Sequence, residues 1–191
     1  MTDDPLDRIV TVPNLLSAIR IALIPVFVTL LVRRGTEAAG LLLFGGVLAT
    51  DWVDGFIARR TNRVSNVGKV LDPVADRLAI AAGLITLMVR HAVPLWAGVL
   101  VLVRDGAVLV AGGFLAARWG VRIEVRWIGK AATMALMIGI PAIAWGHFDL
   151  WLHGAARVGG WTLYAIGITV YYAAAAQYAV DARRSLLERS V

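Results

Sequence analysis

Long apolar blocks, separated by short polar and charged stretches, make up most of this chain. Six blocks of about 20 residues occupy positions 14–32, 38–60, 67–89, 93–117, 127–148 and 158–180. A helix needs roughly 20 apolar residues to cross a hydrocarbon core of about 30 Å. The apolar residues do not follow the three-to-four spacing of an amphipathic surface helix. The pattern therefore predicts an all-α integral membrane protein with six transmembrane helices.

Composition supports a membrane protein. Hydrophobic residues make up 59% of the 191 residues and charged residues 17%, whereas a soluble domain carries about 25% charged residues. The length is that of one domain, so we expect a single membrane domain over residues 1–191, with short cytoplasmic tails at about 1–12 and 181–191. The acidic N-terminus lacks the basic region of a signal peptide, so the first block is expected to be retained.

The distribution of arginines predicts the orientation. Ten lie on the side of the two termini: Arg8, Arg59, Arg60, Arg63, Arg118, Arg122, Arg126, Arg183, Arg184 and Arg189. Four lie on the opposite side: Arg33, Arg34, Arg90 and Arg157. Basic residues favour the cytoplasmic side and anionic lipid. We therefore expect both termini in the cytoplasm, an inner or cytoplasmic membrane location, and no nucleic-acid partner despite the net charge of +6.

The segment joining the second and third blocks concentrates carboxylates near the cytoplasmic face. It reads TDWVDGFIARRTNRVSNVGKVLDPVADRL and contains Asp51, Asp54, Asp72 and Asp76. The first two are three residues apart and the last two are four apart, so each pair shares one face of a helix. Polar residues between the pairs can turn the chain back. The two helices would then be antiparallel, and each would direct two carboxylates toward the other helix.

Four carboxylates in that arrangement need a compensating positive charge. An acidic side chain within a membrane costs roughly 2.5–3.5 kcal/mol. Arg59, Lys69 and Arg77 are near in sequence, but their spacing directs them away from the carboxylate faces. Oxygen ligands suit Mg²⁺ or Mn²⁺, and two such ions stabilise the entering and leaving oxygens of a phosphoryl displacement. We therefore predict a site for two divalent cations.

Small residues lie on or beside the same helix faces. Gly55, Ala58 and Gly68 would let a flat ligand approach the backbone. They would equally allow tight packing of neighbouring helices, which is common in membranes. Their spacing alone leaves both interpretations open.

Together these positions resemble the signature of the CDP-alcohol phosphotransferase family, and the six-block layout resembles it too. The eight matching positions read Asp51-x2-Asp54-Gly55-x2-Ala58-Arg59-x8-Gly68-x3-Asp72-x3-Asp76. Eight positions in register are a far more specific signal than a lone pair of aspartates. The resemblance implies a Mg²⁺- or Mn²⁺-dependent phosphatidyltransferase of phospholipid synthesis that uses CDP-diacylglycerol and releases CMP.

The resemblance also implies roles for these residues. The four aspartates would hold two divalent ions that bind the diphosphate of the CDP-linked lipid, and Asp76 would also be the general base for the acceptor hydroxyl. Gly55, Ala58 and Gly68 would make room for cytidine, and Arg59 would contact the phosphates or brace the carboxylates. Members of the family are often homodimers, so we expect a homodimer in the bilayer.

The acceptor is expected to be an alcohol of the glycerol type. Arg104 and Lys130 are charged residues within predicted spans, which are functional candidates by default, and with Arg126 they could bind an acceptor phosphate. Pairing of Arg104 with an aspartate, or snorkelling of Lys130 to the interface, would explain both without a ligand.

The wording of the first and third blocks, VPNLLSAIRIALIPVF and LDPVADRL, resembles phosphatidylglycerophosphate synthases and the related cardiolipin synthases. The resemblance implies glycerol-3-phosphate or phosphatidylglycerol as acceptor, with inositol phosphate as an alternative. Asp105 and Ala132 depart from the glycerophosphate enzymes, which usually have glutamate and lysine there, and are similar to the cardiolipin synthases. Asn14 and Arg20 also resemble this branch, either as pocket residues or as residues that brace the first helix.

Two other classes of protein fit part of the pattern. An intramembrane prenyltransferase also binds a lipid diphosphate through aspartates and Mg²⁺, but it usually has two separated aspartate motifs. A small cation transporter could line an ion path with intramembrane aspartates. Its path would leave the small residues and the exact spacing unexplained.

Overall fold

A computed structural model describes residues 12–61, 68–119 and 127–188 of the chain. These residues form six α-helices, and no strand occurs among them. The helices are α1 (Val12–Val32), α2 (Glu37–Thr61), α3 (Gly68–Val89), α4 (Leu95–Trp119), α5 (Trp127–His147) and α6 (His153–Glu188). Each coincides with one predicted block, so the all-helical prediction is confirmed.

Helix α6 differs most from its predicted bounds. It begins at His153 and continues to Glu188, across most of the segment expected to be a C-terminal tail. The additional residues at its C-terminal end are DARRSLLE, of which six of eight are alanine, arginine, leucine or glutamate. These residues have high helix propensity, so the helix outlasts the apolar block by which it was predicted.

One stretch among the described residues is both long and apolar enough to cross a membrane, namely Leu15–Val32 in α1. Two shorter apolar stretches, Glu37–Thr50 and Ala131–His147, lie in α2 and α5. The six membrane spans and the orientation of the termini therefore remain predictions.

The first of two compact units contains α1, α2 and α3, together with residues 148–150. Helix α1 packs against both α2 and α3. The rings of Phe27 and Phe44 lie 5.2 Å apart at the centre of this packing, and both side chains are buried. A Cβ on Gly40 would lie 2.8 Å from the backbone nitrogen of Leu31. Only glycine therefore allows α1 and α2 to approach this closely.

The ends of these helices are joined by Arg90, which follows α3. Its guanidinium donates hydrogen bonds to the carbonyl of Val32, at the end of α1, and to Oε1 of Glu37, at the start of α2. The Nη2–Oε1 distance is 3.0 Å. The Arg90 guanidinium also lies 5.4 Å from the ring centroid of Phe148. One side chain thus connects the ends of α1, α2 and α3.

The second unit contains α4, α5 and α6, of which α5 and α6 form the most extensive pair. These two helices are antiparallel, since Gly139 faces Gly160 and Gly146 faces Arg157. A Cβ on Gly160 would lie 2.7 Å from the backbone nitrogen of Ile143. The glycines permit backbone-to-backbone contact of the kind that drives helix association in membranes.

Helix α6 is also joined to α4 by tyrosine hydroxyls. Tyr164 donates a hydrogen bond to the carbonyl of Ala97, and Tyr172 donates one to the carbonyl of Leu100, both at 2.8 Å. Tyr164 is buried, and its ring makes edge contacts with Trp96 and Trp161. A buried tyrosine needs a partner for its hydroxyl, and the carbonyl of Ala97 provides it for Tyr164.

Candidate active site

The eight signature positions divide between two helices of the first unit. Asp51, Asp54, Gly55, Ala58 and Arg59 lie in the C-terminal half of α2. Gly68, Asp72 and Asp76 lie in the first part of α3.

Helices α2 and α3 contact one another, and both are helical at these positions, as the spacing argument requires. The side chains of residues 51–73 lie outside the described part of the structure. Asp76 is thus the signature aspartate whose side chain is described.

Asp76 is bound by an arginine from the first helix. The Arg20 guanidinium donates a hydrogen bond through Nη1 to Oδ1 of Asp76 and forms an ion pair with it. The Arg20 side chain is 5% exposed and that of Asp76 is 22% exposed. Helix α1, on which Arg20 lies, packs along α3. The two residues are 56 positions apart in the chain, so their pairing depends on this helix packing.

The pairing explains the charged residue within the most apolar helix of the chain. A buried charge is costly unless it is paired, and removing one partner of a buried pair typically costs about 3–5 kcal/mol. The sequence indicated Arg20 only as a pocket or bracing residue. An arginine within an apolar block was the available signal, but the nearby cations considered for the aspartates were Arg59, Lys69 and Arg77.

The signature aspartates carry the carboxylate oxygens that a divalent cation requires. Among the side chains that the structure describes, no three His, Cys, Asp or Glu residues come together; three of the four signature aspartates lie outside that part. Asp76 has Oδ1 engaged by Arg20, and its side chain remains partly exposed. A carboxylate with an accessible oxygen is a hard ligand of the type that Mg²⁺ and Mn²⁺ prefer.

The second unit contains a buried charged cluster on α4 and α6. Arg104 and Asp105 are each 7% exposed, and Arg104 Nη1 donates a hydrogen bond to Asp105 Oδ1 at 3.3 Å. The Tyr171 hydroxyl donates a second hydrogen bond to the same oxygen. The Arg104 guanidinium lies over the Tyr171 ring, 3.4 Å from its centroid. Nε of Arg104 is buried and has no hydrogen-bond partner among the side chains and backbone that the structure describes.

This cluster bears on the predicted acceptor residues. Arg104 is paired with Asp105, as the interpretation without a ligand predicted, and within the described residues its Nε has no hydrogen-bond partner. Lys130 lies on α5, and its side chain is outside the described part of the structure; Arg126 lies outside the described residues altogether. Tyr171 was not predicted, because a tyrosine in an apolar block carries no sequence signal for a partner on another helix.

Comparison with known proteins identifies the class to which this chain belongs. The pattern of the CDP-alcohol phosphatidyltransferase family matches residues 10–172, a range that includes the whole signature. The chain belongs to the CDP-alcohol phosphatidyltransferase family, an enzyme family, and the predicted resemblance is confirmed.

Relatives place the chain near two kinds of enzyme within this family. It is 37% identical over 185 residues to a cardiolipin synthase (CMP-forming) of Streptomyces coelicolor, covering 93% of this chain and 85% of the relative. It is 38% identical over 178 residues to a putative cardiolipin synthase of Mycobacterium tuberculosis, covering 92% and 84%. It is 34% identical over 191 residues to the CDP-diacylglycerol–glycerol-3-phosphate 3-phosphatidyltransferase of Escherichia coli K12, covering 93% and 98%.

Proposed function

We propose that this protein transfers the phosphatidyl group of CDP-diacylglycerol to a hydroxyl of a glycerol-type acceptor and releases CMP. The observation that carries the proposal is the complete eight-position signature, divided between the adjacent helices α2 and α3 of a family member. Family membership favours this chemistry over the prenyltransferase and the cation transporter.

The reaction assigns a role to each signature residue. Asp51, Asp54, Asp72 and Asp76 would hold two divalent ions, Mg²⁺ or Mn²⁺. Bound there, the ions would neutralise the diphosphate and the departing phosphate of CMP.

Other signature residues would bind the nucleotide, and one aspartate would accept the proton. Gly55, Ala58 and Gly68 would leave room for cytidine, and Arg59 would contact the phosphates. Asp76 would accept the proton of the acceptor hydroxyl while the acceptor oxygen bonds to the phosphatidyl phosphorus. The bond from that phosphorus to the bridging oxygen would break, and CMP would leave with that oxygen.

We propose phosphatidylglycerol as the acceptor, which would give cardiolipin. Asp105 and Ala132 are similar to the cardiolipin synthases, and the Streptomyces relative bears that name. Ala132 is 2% exposed, so the second lysine usual in the glycerophosphate enzymes would have to be buried at this position. A buried lysine is costly without a paired anion.

Glycerol-3-phosphate is the second candidate acceptor. The similarity to the Escherichia coli enzyme, which is named for that acceptor, extends over 98% of its length. Arg104, whose Nε has no hydrogen-bond partner in the described part of the structure, would then contact the acceptor phosphate together with Lys130 and Arg126. Inositol phosphate is the remaining alternative.

We further propose a membrane arrangement for the enzyme. The span-like stretch in α1 supports a membrane location. The six apolar blocks support six spans, and the arginine distribution supports placing both termini and the active site at the cytoplasmic face of the inner membrane. We also propose a homodimer, because members of the family are often homodimers.

The test is CMP release from CDP-diacylglycerol by the purified protein in liposomes. Phosphatidylglycerol, glycerol-3-phosphate and inositol phosphate are supplied separately with Mg²⁺ or Mn²⁺, and Asp76→Asn is the control. Release with phosphatidylglycerol alone, lost in the variant, is the expected result. Release with glycerol-3-phosphate alone would reassign the acceptor. No release from folded protein with any acceptor would refute the proposed function.

A further inference from the structure

We propose that Arg20 is a positioning residue that orients the carboxylate of Asp76 for proton transfer. The inference rests on the proposed function, in which Asp76 is the general base. It adds to the reaction a residue outside the signature, from a helix that contains none of the eight signature positions.

The contact between Arg20 and Asp76 involves one of the two carboxylate oxygens. Nη1 of Arg20 binds Oδ1 of Asp76. The Asp76 side chain is 22% exposed, whereas Arg20 is 5% exposed. Arg20 therefore holds the carboxylate through Oδ1, and the exposed part of the Asp76 side chain remains accessible to the acceptor hydroxyl.

A carboxylate held in this way is a better base than one that rotates freely. The terminal torsion of aspartate has a broad, roughly two-fold energy profile, so an unrestrained carboxylate samples many orientations. Proton transfer requires an oxygen within about 2.6–3.2 Å of the hydroxyl. A misplacement of about 1 Å can reduce a rate by roughly a hundredfold. Arg20 is buried between packed helices, so it can hold the carboxylate in one orientation.

The alternative is that Arg20 only holds α1 against α3. The structure offers a matched control, because Arg90 forms a second link between the same two helices through the carbonyl of Val32. The two links lie on α1 twelve positions apart, roughly 18 Å along the helix. Arg90 makes no described contact with a signature residue. Its loss should weaken the helix packing without disturbing Asp76.

The kinetic experiment compares Arg20→Met, Arg20→Lys and Arg90→Met with the wild type in the CMP-release assay. We expect Arg20→Met to lower kcat roughly ten- to a hundredfold and to leave the KM for CDP-diacylglycerol within about threefold, the pattern of a lost transition-state interaction. Arg20→Lys should recover part of kcat. Arg90→Met should lower the Tm and retain kcat. Should Arg20→Met fail to fold, Arg20→Lys provides the same comparison with Arg90→Met.

A second measurement needs neither metal nor turnover. Thermal unfolding in EDTA is recorded for Arg20→Met, Asp76→Asn and the double variant. A directly coupled pair predicts that the Tm loss of the double variant is smaller than the sum of the single losses.

Three results would overturn the inference while leaving the proposed function intact. They are an unchanged kcat in Arg20→Met, an equal kcat loss in Arg90→Met at equal Tm loss, and additive Tm losses in EDTA. Absence of CMP release by the wild-type protein would overturn the proposed function and this inference together.

Discussion

The guanidinium of Arg104 lies over the ring of Tyr171, with the Arg104 Cζ atom 3.4 Å from the ring centroid. The Tyr171 hydroxyl donates a hydrogen bond to Asp105, the acid that pairs with Arg104. One tyrosine therefore contacts both members of a buried ion pair. Buried polar networks are stable only when their members are satisfied, so this tyrosine should matter more than its neighbours.

Replacing Tyr171 with phenylalanine should destabilise the protein by about 1–3 kcal/mol, because the buried carboxylate of Asp105 loses a hydrogen-bond donor. The ring that covers Arg104 is retained. Tyr172→Phe is the matched control, since Tyr172 is 39% exposed and its hydroxyl binds a backbone carbonyl. Thermal unfolding in detergent should show a clear loss for the first variant and a small one for the second. Equal losses would contradict a special role for Tyr171.

Replacing Gly160 with alanine should separate α5 from α6. The new Cβ would lie 2.7 Å from the backbone nitrogen of Ile143 and 3.0 Å from the carbonyl carbon of Ala142, and backbone atoms cannot move aside alone. Overpacking of this kind costs about 1–3 kcal/mol. A Cβ added to the adjacent Gly159 would meet no atom within 4 Å, so Gly159→Ala should be neutral or slightly stabilising. If Gly160→Ala and Gly159→Ala had the same Tm, the close contact between α5 and α6 at Gly160 would be refuted.

Glu37 predicts a specific pH dependence of stability. Burial raises the pKa of Glu37, but hydrogen bonds from the backbone N–H groups of Glu37 and Gly35, with the charge of Arg90, outweigh it and hold the pKa below its usual 4.5. A lowered folded-state pKa contributes stability above the unfolded value, and the contribution is lost as pH falls through the folded value. The wild-type protein should therefore have a higher Tm than Glu37→Gln. This Tm difference should be largest above pH 4.5 and decrease as the pH falls below it.

The measurement is thermal unfolding of both proteins in detergent at a series of pH values on either side of 4.5. A Tm difference that stays constant with pH would show that the Glu37 carboxylate gains nothing from its partners. Arg90→Met should reduce the advantage, because Arg90 supplies one of the favourable contacts.

Removing divalent cations should stop the reaction. With EDTA we expect CMP release to fall to background, and Mg²⁺ or Mn²⁺ should restore it, because two-metal sites stabilise the entering and leaving oxygens of the displacement. Ca²⁺ is a useful comparison, since it accepts longer oxygen contacts and looser geometry. Full activity in EDTA, with metal analysis confirming removal, would rule out the divalent-ion site.

Much of the helical organisation was predictable from local pattern alone. The predicted block 38–60 became α2 (Glu37–Thr61), and the predicted block 67–89 became α3 (Gly68–Val89). Hydropathy and helix periodicity depend only on residues that are close in sequence, so they can be recognised without knowing which helices pack together. The same locality explains why α6 is longer than its apolar block, since polar helix-forming residues extend the helix to Glu188.

The sequence by itself determined the six helices, the clustering of four aspartates on two of them, and the family. Tertiary structure alone decided that Arg20 pairs with Asp76 across 56 residues and that Tyr171 binds Asp105 across 66. Spacing shows which residues share a helix face, but not which face meets which helix. Which faces meet depends on the packing of whole helices, such as that of α1 along α3. No single residue determines this packing.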